Sequence, residues 1–457
     1  MKIIQIIKKR LSGKQSGKQS GKQFEKQSKR LSQIVTEAVL LTVMLCLVML
    51  CMLCPVRGEA KVYLDITSPG LRKFPIAIQD FSGAGEGVGI SEIIRSDFNF
   101  TGLFLVLDKG AFIETSDSPF NADNWKPLGA DLVVKGTIEV APDGSLGVTV
   151  SGYDVVEMKN ILKKRYSSRR DLVRPLAHKI ADDLFEVITG QRGLFSTKIV
   201  FVGQEGHGRA IYLMDYDGQR LKKIVGRGSI TMKPRWSSDG KTIAYSSLRN
   251  MKWNIYTLDF DSATEHLVYS SAGTNLVGGF TPDGQYLLFS SSSKGSPDIY
   301  MIHLRTKVLS RLTYEPNIDV SPSVSPDGKQ IVYVSDRSSV PQLYIMGMDG
   351  NDSRRITFEG NYNTTPEWSP AGDSIVFTSR TGGLFQVFTI KPDGSAMAQL
   401  TSAGNNEEPS FSPDGRYITF TSDRDGTKGV YVMNVNGEGQ HKISPRNIRA
   451  FGPSWSR

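Results

Sequence analysis

From residue 243 onward the apolar positions fall on alternate residues in short runs: Ile243/Tyr245, Leu287/Phe289, Ile331/Tyr333, Ile375/Phe377 and Ile418/Phe420. A period of two puts one face of a strand into a core. Each run leads to an apolar–aromatic pair, Ile255-Tyr256, Ile299-Tyr300, Leu343-Tyr344, Val387-Phe388 and Val430-Tyr431. A fourth segment closes each unit near Val268, Leu312-Thr313, Ile356-Thr357, Leu400-Thr401 and Ile443-Ser444. Between the first strand of a unit and its alternating run stands a turn signal. The copies are Trp236-Ser237-Ser238-Asp239-Gly240, Phe280-Thr281-Pro282-Asp283-Gly284, Val324-Ser325-Pro326-Asp327-Gly328, Trp368-Ser369-Pro370-Ala371-Gly372 and Phe411-Ser412-Pro413-Asp414-Gly415. The spacing from Asp239 to Asp283, Asp327 and Ala371 is 44 residues at each step, and a further 43 to Asp414. Ser suits the first position of a type I turn, Pro presets φ at the second, and Gly relieves the exit. Four short strands in a period of this length predict a propeller blade.

The two ends of the repeat region complement each other. Ile199/Phe201 and Ile211-Tyr212 align one period before the first full unit, with no turn motif ahead of them. At the other end, Pro453-Ser454-Trp455-Ser456-Arg457 carries a first strand and stops. Residues 194–457 are therefore expected to form a six-bladed β-propeller closed by the C-terminal strand, which takes the innermost place in the first blade. Closure removes the long free edge that open sheets leave exposed. Period-two alternation excludes an α-solenoid.

Residues 61–193 read as a small N-terminal α/β domain, so the fold class is a two-domain α+β chain. Strands are expected at Val62–Ile66, Pro75–Phe81, Leu103–Asp108, Leu132–Val140, Leu146–Tyr153 and Asn160–Ser167, with Pro142-Asp143-Gly144 as a hairpin turn. A helix follows a Gly-rich loop, Ser82 to Gly89, over about 90–98. A second presents Leu172, Leu176, Ile180, Leu184 and Ile188 on one face, with Asp171 as its N-cap and Gly190 at its end. The run Gly83, Gly85, Gly87, Gly89 imitates a dinucleotide fingerprint. Counting from Gly83 puts Val88 in the third glycine position, and counting from Gly85 puts Ile90 there, so a flexible loop capping the helix is the better reading.

Composition changes the picture mainly at the start of the chain. The net charge is +9, yet residues 1–60 alone hold 11 Lys/Arg against 3 acids. The remainder is nearly neutral, which excludes a nucleic-acid footprint. Residues 1–60 read as a signal peptide with a basic low-complexity prefix: Lys8 to Arg30, then an apolar run of 17 residues from Ala38 to Cys54, then cleavage near Ala60. A retained anchor is the rival reading, because the run is close to the lower limit for a span. Cys46, Cys51 and Cys54 all lie in this leader and each follows a Leu, which does not suit lipidation. The exported chain then carries no cysteine and depends on its core.

Candidate chemistry gathers at the loops between blades, around the mouth of the central channel. They carry a recurring Asn at Asn275, Asn317, Asn361, Asn405 and Asn447, expected four to six residues ahead of each next blade. Asn tolerates a left-handed backbone and offers both donors and acceptors, so it either braces its own turn or presents a polar ring to a partner. Tyr362, Glu407, Glu408 and Arg449 join them as partner-binding candidates of mixed charge, suited to a protein ligand rather than a phosphate. No catalytic pattern competes. There is no G-x-S-x-G elbow and no His spacing for a metal among His178, His207, His266, His303 and His441. No cofactor is expected; a channel cation stays open as an alternative without a D-x-D-x-D-G loop behind it.

Three stretches are specific beyond the blade motif. They are Ile93-Ile94-Arg95-Ser96-Asp97-Phe98-Asn99-Phe100-Thr101-Gly102-Leu103-Phe104, Ala181-Asp182-Asp183-Leu184-Phe185-Glu186-Val187-Ile188-Thr189-Gly190, and Gly193-Leu194-Phe195-Ser196-Thr197-Lys198-Ile199. With the leader and the Ser-Pro-Asp-Gly blades, they make residues 61–457 resemble the TolB family of the Tol-Pal cell-envelope system. The long basic prefix and the worn turn at Ala371 depart from that pattern. The resemblance implies a periplasmic, monomeric binding protein, not an enzyme, that meets the membrane only through partners. It implies that the channel mouth binds the lipoprotein Pal. It also implies that the N-terminal segment, Lys61, Val62, Tyr63, Leu64, Asp65 and Ile66, engages TolA by adding a strand to that partner's sheet. Service in outer-membrane integrity and cell division follows from the same resemblance. The alternatives are a non-catalytic propeller subunit of a peptidase and a periplasmic peptide- or sugar-binding propeller.

Overall fold

The computed structural model describes residues 72–456 apart from Ala84, His207 and 227–229, together with Val39, Leu40, Thr42 and Met44 of the leader. The side chain of Glu205 and the predicted strand at Val62–Ile66 lie outside the described residues. The chain forms two compact units, residues 1–61 and residues 62–457. No helix among the described residues is long and apolar enough to cross a membrane.

The N-terminal region is built on a mixed sheet. Its strands are β1 (Phe74–Ile78), β2 (Ser82–Gly83), β3 (Phe104–Val106), β4 (Leu132–Val140), β5 (Leu146–Asp154) and β6 (Lys159–Ser168), in the order β3-β1-β4-β5-β6 with β2 beside β4. Alternation sorts the two faces. Ile76, Ile78, Leu132 and Val134 pack with Ile90, Ile94 and Phe98 of helix α1 (Gly87–Phe100) and with Leu176, Ile180 and Leu184 of helix α2 (Val173–Thr189). Ala77 and Val133 point the other way, onto Trp125 and its neighbours. Gly190 ends α2 in a left-handed conformation, its N–H on the Glu186 carbonyl.

Two sequence expectations are corrected here. Asp171 does not cap α2; it lies in a short 3-10 turn that precedes the helix and its carboxylate takes the Arg169 guanidinium at 2.9 Å. The Gly-rich stretch is not one flexible loop capping the helix. Gly83 belongs to β2 and Gly87 already starts α1, and a Cβ on either would sit 2.1 or 2.2 Å from a backbone oxygen of Ile138 or Phe81. These glycines serve close backbone approach rather than mobility.

The remainder is a β-propeller. Four sheets are four-stranded antiparallel meanders, starting at Asn275, Asp319, Asn363 and Asn406. The fifth has eight strands, because a single parallel bridge between Ile230 and Arg209 joins two neighbouring meanders. In it the C-terminal strand Arg449–Trp455 pairs antiparallel with Lys198–Glu205, placing Trp455 opposite Ile199. The alternating residues Ile243/Tyr245, Leu287/Phe289, Ile331/Tyr333, Ile375/Phe377 and Ile418/Phe420 are all fully buried, at about 1.5–3 kcal/mol of stabilisation for each such aliphatic or Phe side chain.

The turn motif works through its Ser or Thr hydroxyl. Ser237, Thr281, Ser325 and Ser412 donate to Asp239, Asp283, Asp327 and Asp414 at 2.5–2.6 Å and accept the backbone N–H five residues on. In the worn copy Asp373 replaces the missing acid, taking the Ser369 hydroxyl at 2.7 Å. The fourth strands are shorter than expected in the last four units, ending at Arg311, Arg355, Gln399 and Lys442. Just beyond them the hydroxyls of Thr313, Thr357, Thr401 and Ser444 accept the N–H groups of Ile299, Leu343, Val387 and Val430 at 2.9–3.0 Å. A side chain there does the work of a ladder bond.

The N-terminal domain sits against the end of the propeller that bears the Asp-Gly turns. Phe100 packs on Tyr216, Tyr417 and His441, and Arg416 lies over the Phe185 ring. At the centre, the fully buried Asp97 pairs with His178 Nδ1 at 2.9 Å and accepts the Tyr216 hydroxyl at 2.6 Å. Burial raises the Asp97 carboxyl above the ordinary range, against the opposing pull of His178 and Tyr216.

Candidate channel mouth

In each meander the first strand runs away from the inter-blade loops and ends at the Asp-Gly turn, so successive inter-blade loops gather at one end of the channel. That end is opposite the N-terminal domain. The strands that line the channel are Ile230–Trp236, Asn275–Phe280, Asp319–Val324, Asn363–Trp368, Asn406–Phe411 and Arg449–Trp455. Every one of them slips register against its neighbour, as a β-bulge does.

In five of the six strands the bulge falls at an x-Pro pair, and in Asn275–Phe280 Gly278-Gly279 stand there instead. Lys233-Pro234, Ser321-Pro322, Thr365-Pro366, Glu408-Pro409 and Gly452-Pro453 recur at the blade period, and each residue before proline has φ between 49° and 59°. Proline cannot donate to the ladder, so the pairing is interrupted there. For Lys233, Ser321, Thr365 and Glu408 the left-handed backbone is strained. Neighbouring blades hold the bent strands by hydroxyl contacts: Glu408 N–H on Thr378 Oγ1 at 3.2 Å, Gly452 N–H on Thr421 Oγ1 at 2.9 Å.

Two lysines neutralise the upper carboxylates of the channel. The Lys233 ammonium donates to Glu408 at 3.0 Å, reaching past Gly452, whose absent Cβ would lie 3.3 Å from the Glu408 carboxylate. Lys428 pairs with Glu407. Burial pushes the Glu408 carboxyl up, but Lys233, Arg235 and Lys428 outweigh it and hold it below the ordinary range. Deeper down, Glu367 accepts the Ser410 hydroxyl and the Phe411 N–H, both at 2.9 Å. Three guanidiniums line the same channel. Arg235 donates to the carbonyl of its neighbour Pro234, Arg209 lies over the Phe451 ring, and Arg449 is exposed. Among the described residues no cluster of His, Cys, Asp and Glu could hold a metal ion.

The proposed Asn ring divides. Asn275 is buried as the first residue of its strand, donating to the Trp253 carbonyl and accepting from Ser291 and Ser271. The residues in its register are Thr231, Asp319, Asn363, Asn406 and Ala450, all fully buried, and Asn363 and Asn406 donate to Gln342 and Gln386. Asn405 is half-buried and bonded to Asp423 and the Phe385 N–H. Asn317 is half-buried, while Asn361, Asn447 and Tyr362 are exposed in the loops. These Asn lie at the strand start or within two residues of it, not four to six residues ahead, because the strands begin earlier than their alternation suggests. Glu407 and Glu408 face the channel, and Lys61, Val62, Tyr63, Leu64, Asp65 and Ile66 lie outside the described residues.

Sequence reading missed a rim of exposed apolar residues on two adjacent loops. Tyr314 and Phe358 are 69% and 73% exposed, with Ile318 also exposed and only Tyr362 of this group already a candidate. Arg311 and Arg355 stack on those two rings at 4.9 and 5.0 Å, each fixed by donating Nε–H to a threonine carbonyl two residues on. The parallel segments Arg311-Leu312-Thr313-Tyr314 and Arg355-Ile356-Thr357-Phe358, one blade apart, were the available signal.

Comparisons with known proteins agree with this layout. Residues 185–457 match the family described as the TolB beta propeller domain, and residues 62–161 match that described as the TolB amino-terminal domain. The Tol-Pal system protein TolB of Bordetella avium is 34% identical over 200 residues, covering 44% of this chain and 45% of that protein. Its namesake in Nitrosomonas europaea is 33% identical over 210 residues, covering 46% of this chain and 49% of that one. The chain thus spans about half the length of the curated relatives it matches. The crystal structure of TolB from Acinetobacter baumannii superposes with a TM-score of 0.75 at 26% identity, covering 84% of this chain and 97% of that one.

Proposed function

Because the chain belongs to the TolB family, we propose that it is a periplasmic, non-catalytic binding component of the Tol-Pal system. The leader is removed near Ala60. Residues 194–457 make six blades: the eight-stranded sheet counts as two, and strand Arg449–Trp455 closes the ring. The channel mouth then binds the lipoprotein Pal and the segment Lys61–Ile66 engages TolA, for outer-membrane integrity and cell division. The protein acts as a monomer and needs no cofactor.

One observation carries this reading: the described part of the N-terminal domain packs on the Asp-Gly end of the propeller, while the opposite mouth carries an apolar, arginine-backed rim exposed among the described residues. Aromatic and Arg side chains are the residues that dominate protein–protein binding energy. Immobilised protein should retain Pal from an envelope extract and show no peptidase activity. Deleting residues 61–70 should abolish retention of TolA and leave that of Pal intact. Failure to retain Pal, with the fold preserved, would refute the assignment of the mouth.

A further inference from the structure

We propose that strand β6 (Lys159–Ser168) is a docking edge for an extended, acidic segment of a partner protein. The segment adds a strand beside β6 and sets carboxylates against Lys163 and Arg165. This goes beyond the family reading, since it concerns neither the channel mouth nor the segment Lys61–Ile66.

The N-terminal sheet ends in two unequal edges. On one side β3 has three residues, and on the other β6 has ten. Among the described residues β5 is the only strand that pairs with β6, so alternate N–H and C=O groups of β6 point outward. At the rise of a strand this edge offers a ladder about 33 Å long. Its charge is of one sign. Lys159, Lys163, Lys164, Arg165, Arg169 and Arg170 fall in a run that holds no acid.

The acids that answer them stand behind the edge or at its ends. Asp183 on α2 takes Lys164 at 2.6 Å, and Glu139 on β4 takes Arg165 at 3.0 Å. Glu157, Asp171 and Glu86 pair with Lys159, Arg169 and Arg170. Among the described residues no carboxylate pairs with the exposed Lys163. Lys164 and Tyr166 reach Asp183 on the helix side, which sets Lys163 and Arg165 on the opposite face, across from Ser151 and Thr149 of β5. Arg165 lies over Gly147, where a Cβ would stand 3.2 Å from its guanidinium. Both members of its pair with Glu139 are 68% exposed, and such a surface pair holds weakly enough for an arriving carboxylate to compete.

The sign of the edge selects the occupant. A second copy of β6 would set like charges against each other, which is how lysines on a free edge prevent self-pairing. An anionic lipid surface meets the charges and leaves the ladder unpaired. An acidic strand satisfies both.

The test titrates the purified protein with a capped, fluorescently labelled octapeptide that alternates Glu and Val. The controls are the same peptide with Gln for Glu, the Glu peptide with all its amides N-methylated so that it cannot join a ladder, and vesicles of phosphatidylglycerol. By anisotropy at low salt the Glu peptide should bind at least about tenfold tighter than either control peptide, and should weaken as salt is added. Hydrogen exchange at residues 159–168 should slow when it is bound. Lys163→Gln combined with Arg165→Gln should lower its affinity about tenfold at an unchanged melting temperature. Should the double variant fold poorly, Lys163→Gln alone gives the same reading at an exposed side chain. Equal binding of the Glu and Gln peptides, equal binding of the methylated peptide, or affinity indifferent to these variants would each overturn the proposal. So would binding to the vesicles that the variants weaken while the Glu peptide does not bind.

Discussion

The two ends of the propeller are made by opposite strategies. At the Asp-Gly end five turns solve one problem in one way, down to the hydroxyl that bonds Asp239, Asp283, Asp327 and Asp414 and the substitute at Asp373. At the mouth the loops share their buried anchors but differ in what they expose: Tyr314 and Phe358 stand out on two adjacent loops, each backed by an arginine. Uniformity belongs to scaffolding, because each turn meets the same local demand. Divergence belongs to recognition, because a partner breaks the symmetry of the ring and asks something different of each blade.

The largest effect should come from the buried contact that seats the N-terminal domain on the uniform end. Asp97→Ala leaves His178 and the Tyr216 hydroxyl without their acceptor and should cost about 3 kcal/mol in a urea melt. A loss under about 1 kcal/mol would mean that the domain is not fixed there. Next come the turns. Ser325→Ala and Ser412→Ala should each cost about 1–2 kcal/mol, since a backbone N–H loses its buried acceptor. Near-equal values would sharpen the contrast with the mouth, and scattered ones would blur it.

The same turns should be visible in acid. The Ser325 hydroxyl, then the Lys329 N–H, hold the Asp327 carboxyl below its ordinary value of 3.8. A depressed folded value stabilises fully above 3.8 and fades as the pH falls through the folded value. The stability gap between wild type and Asp327→Asn should therefore stay constant near neutrality and shrink below 3.8 in pH-dependent melts. At the mouth, Phe358→Ala should alter stability by less than about 0.5 kcal/mol, because the ring is exposed, while partner affinity falls about tenfold or more. Smallest of all, Ala371→Asp should change the melt by under about 0.5 kcal/mol, since Asp373 already occupies the Ser369 hydroxyl.

The alternating strands and their turns were legible because both are local: a period of two and a tight turn leave their mark within ten residues. The fourth strands were placed within a residue or so, but their ends were not legible, because Thr313, Thr357, Thr401 and Ser444 take over from backbone pairing with a hydroxyl, and no hydropathy pattern records that exchange. The mouth residues were found only in outline. Glu407 and Glu408 do face the channel, but Lys233, the partner of Glu408, stands 175 positions away. The x-Pro pairs that bend the inner strands were in plain view inside the repeat, and their meaning required knowing that they point toward the axis. Asp97 with His178 and Tyr216 joins residues 81 and 119 apart, beyond any local signal.

The pairing of Arg449–Trp455 with Lys198–Glu205 bears on how the molecule comes to exist. A strand laid down early waits for a neighbour that lies beyond all the intervening blades. Contacts of such long sequence separation slow folding and leave intermediates with an unpaired edge open to aggregation. Removing Arg449–Trp455 would thus open the edge of the sheet that holds Lys198–Glu205. Until the final strand arrives, the emerging chain depends on its surroundings to keep that edge from strangers.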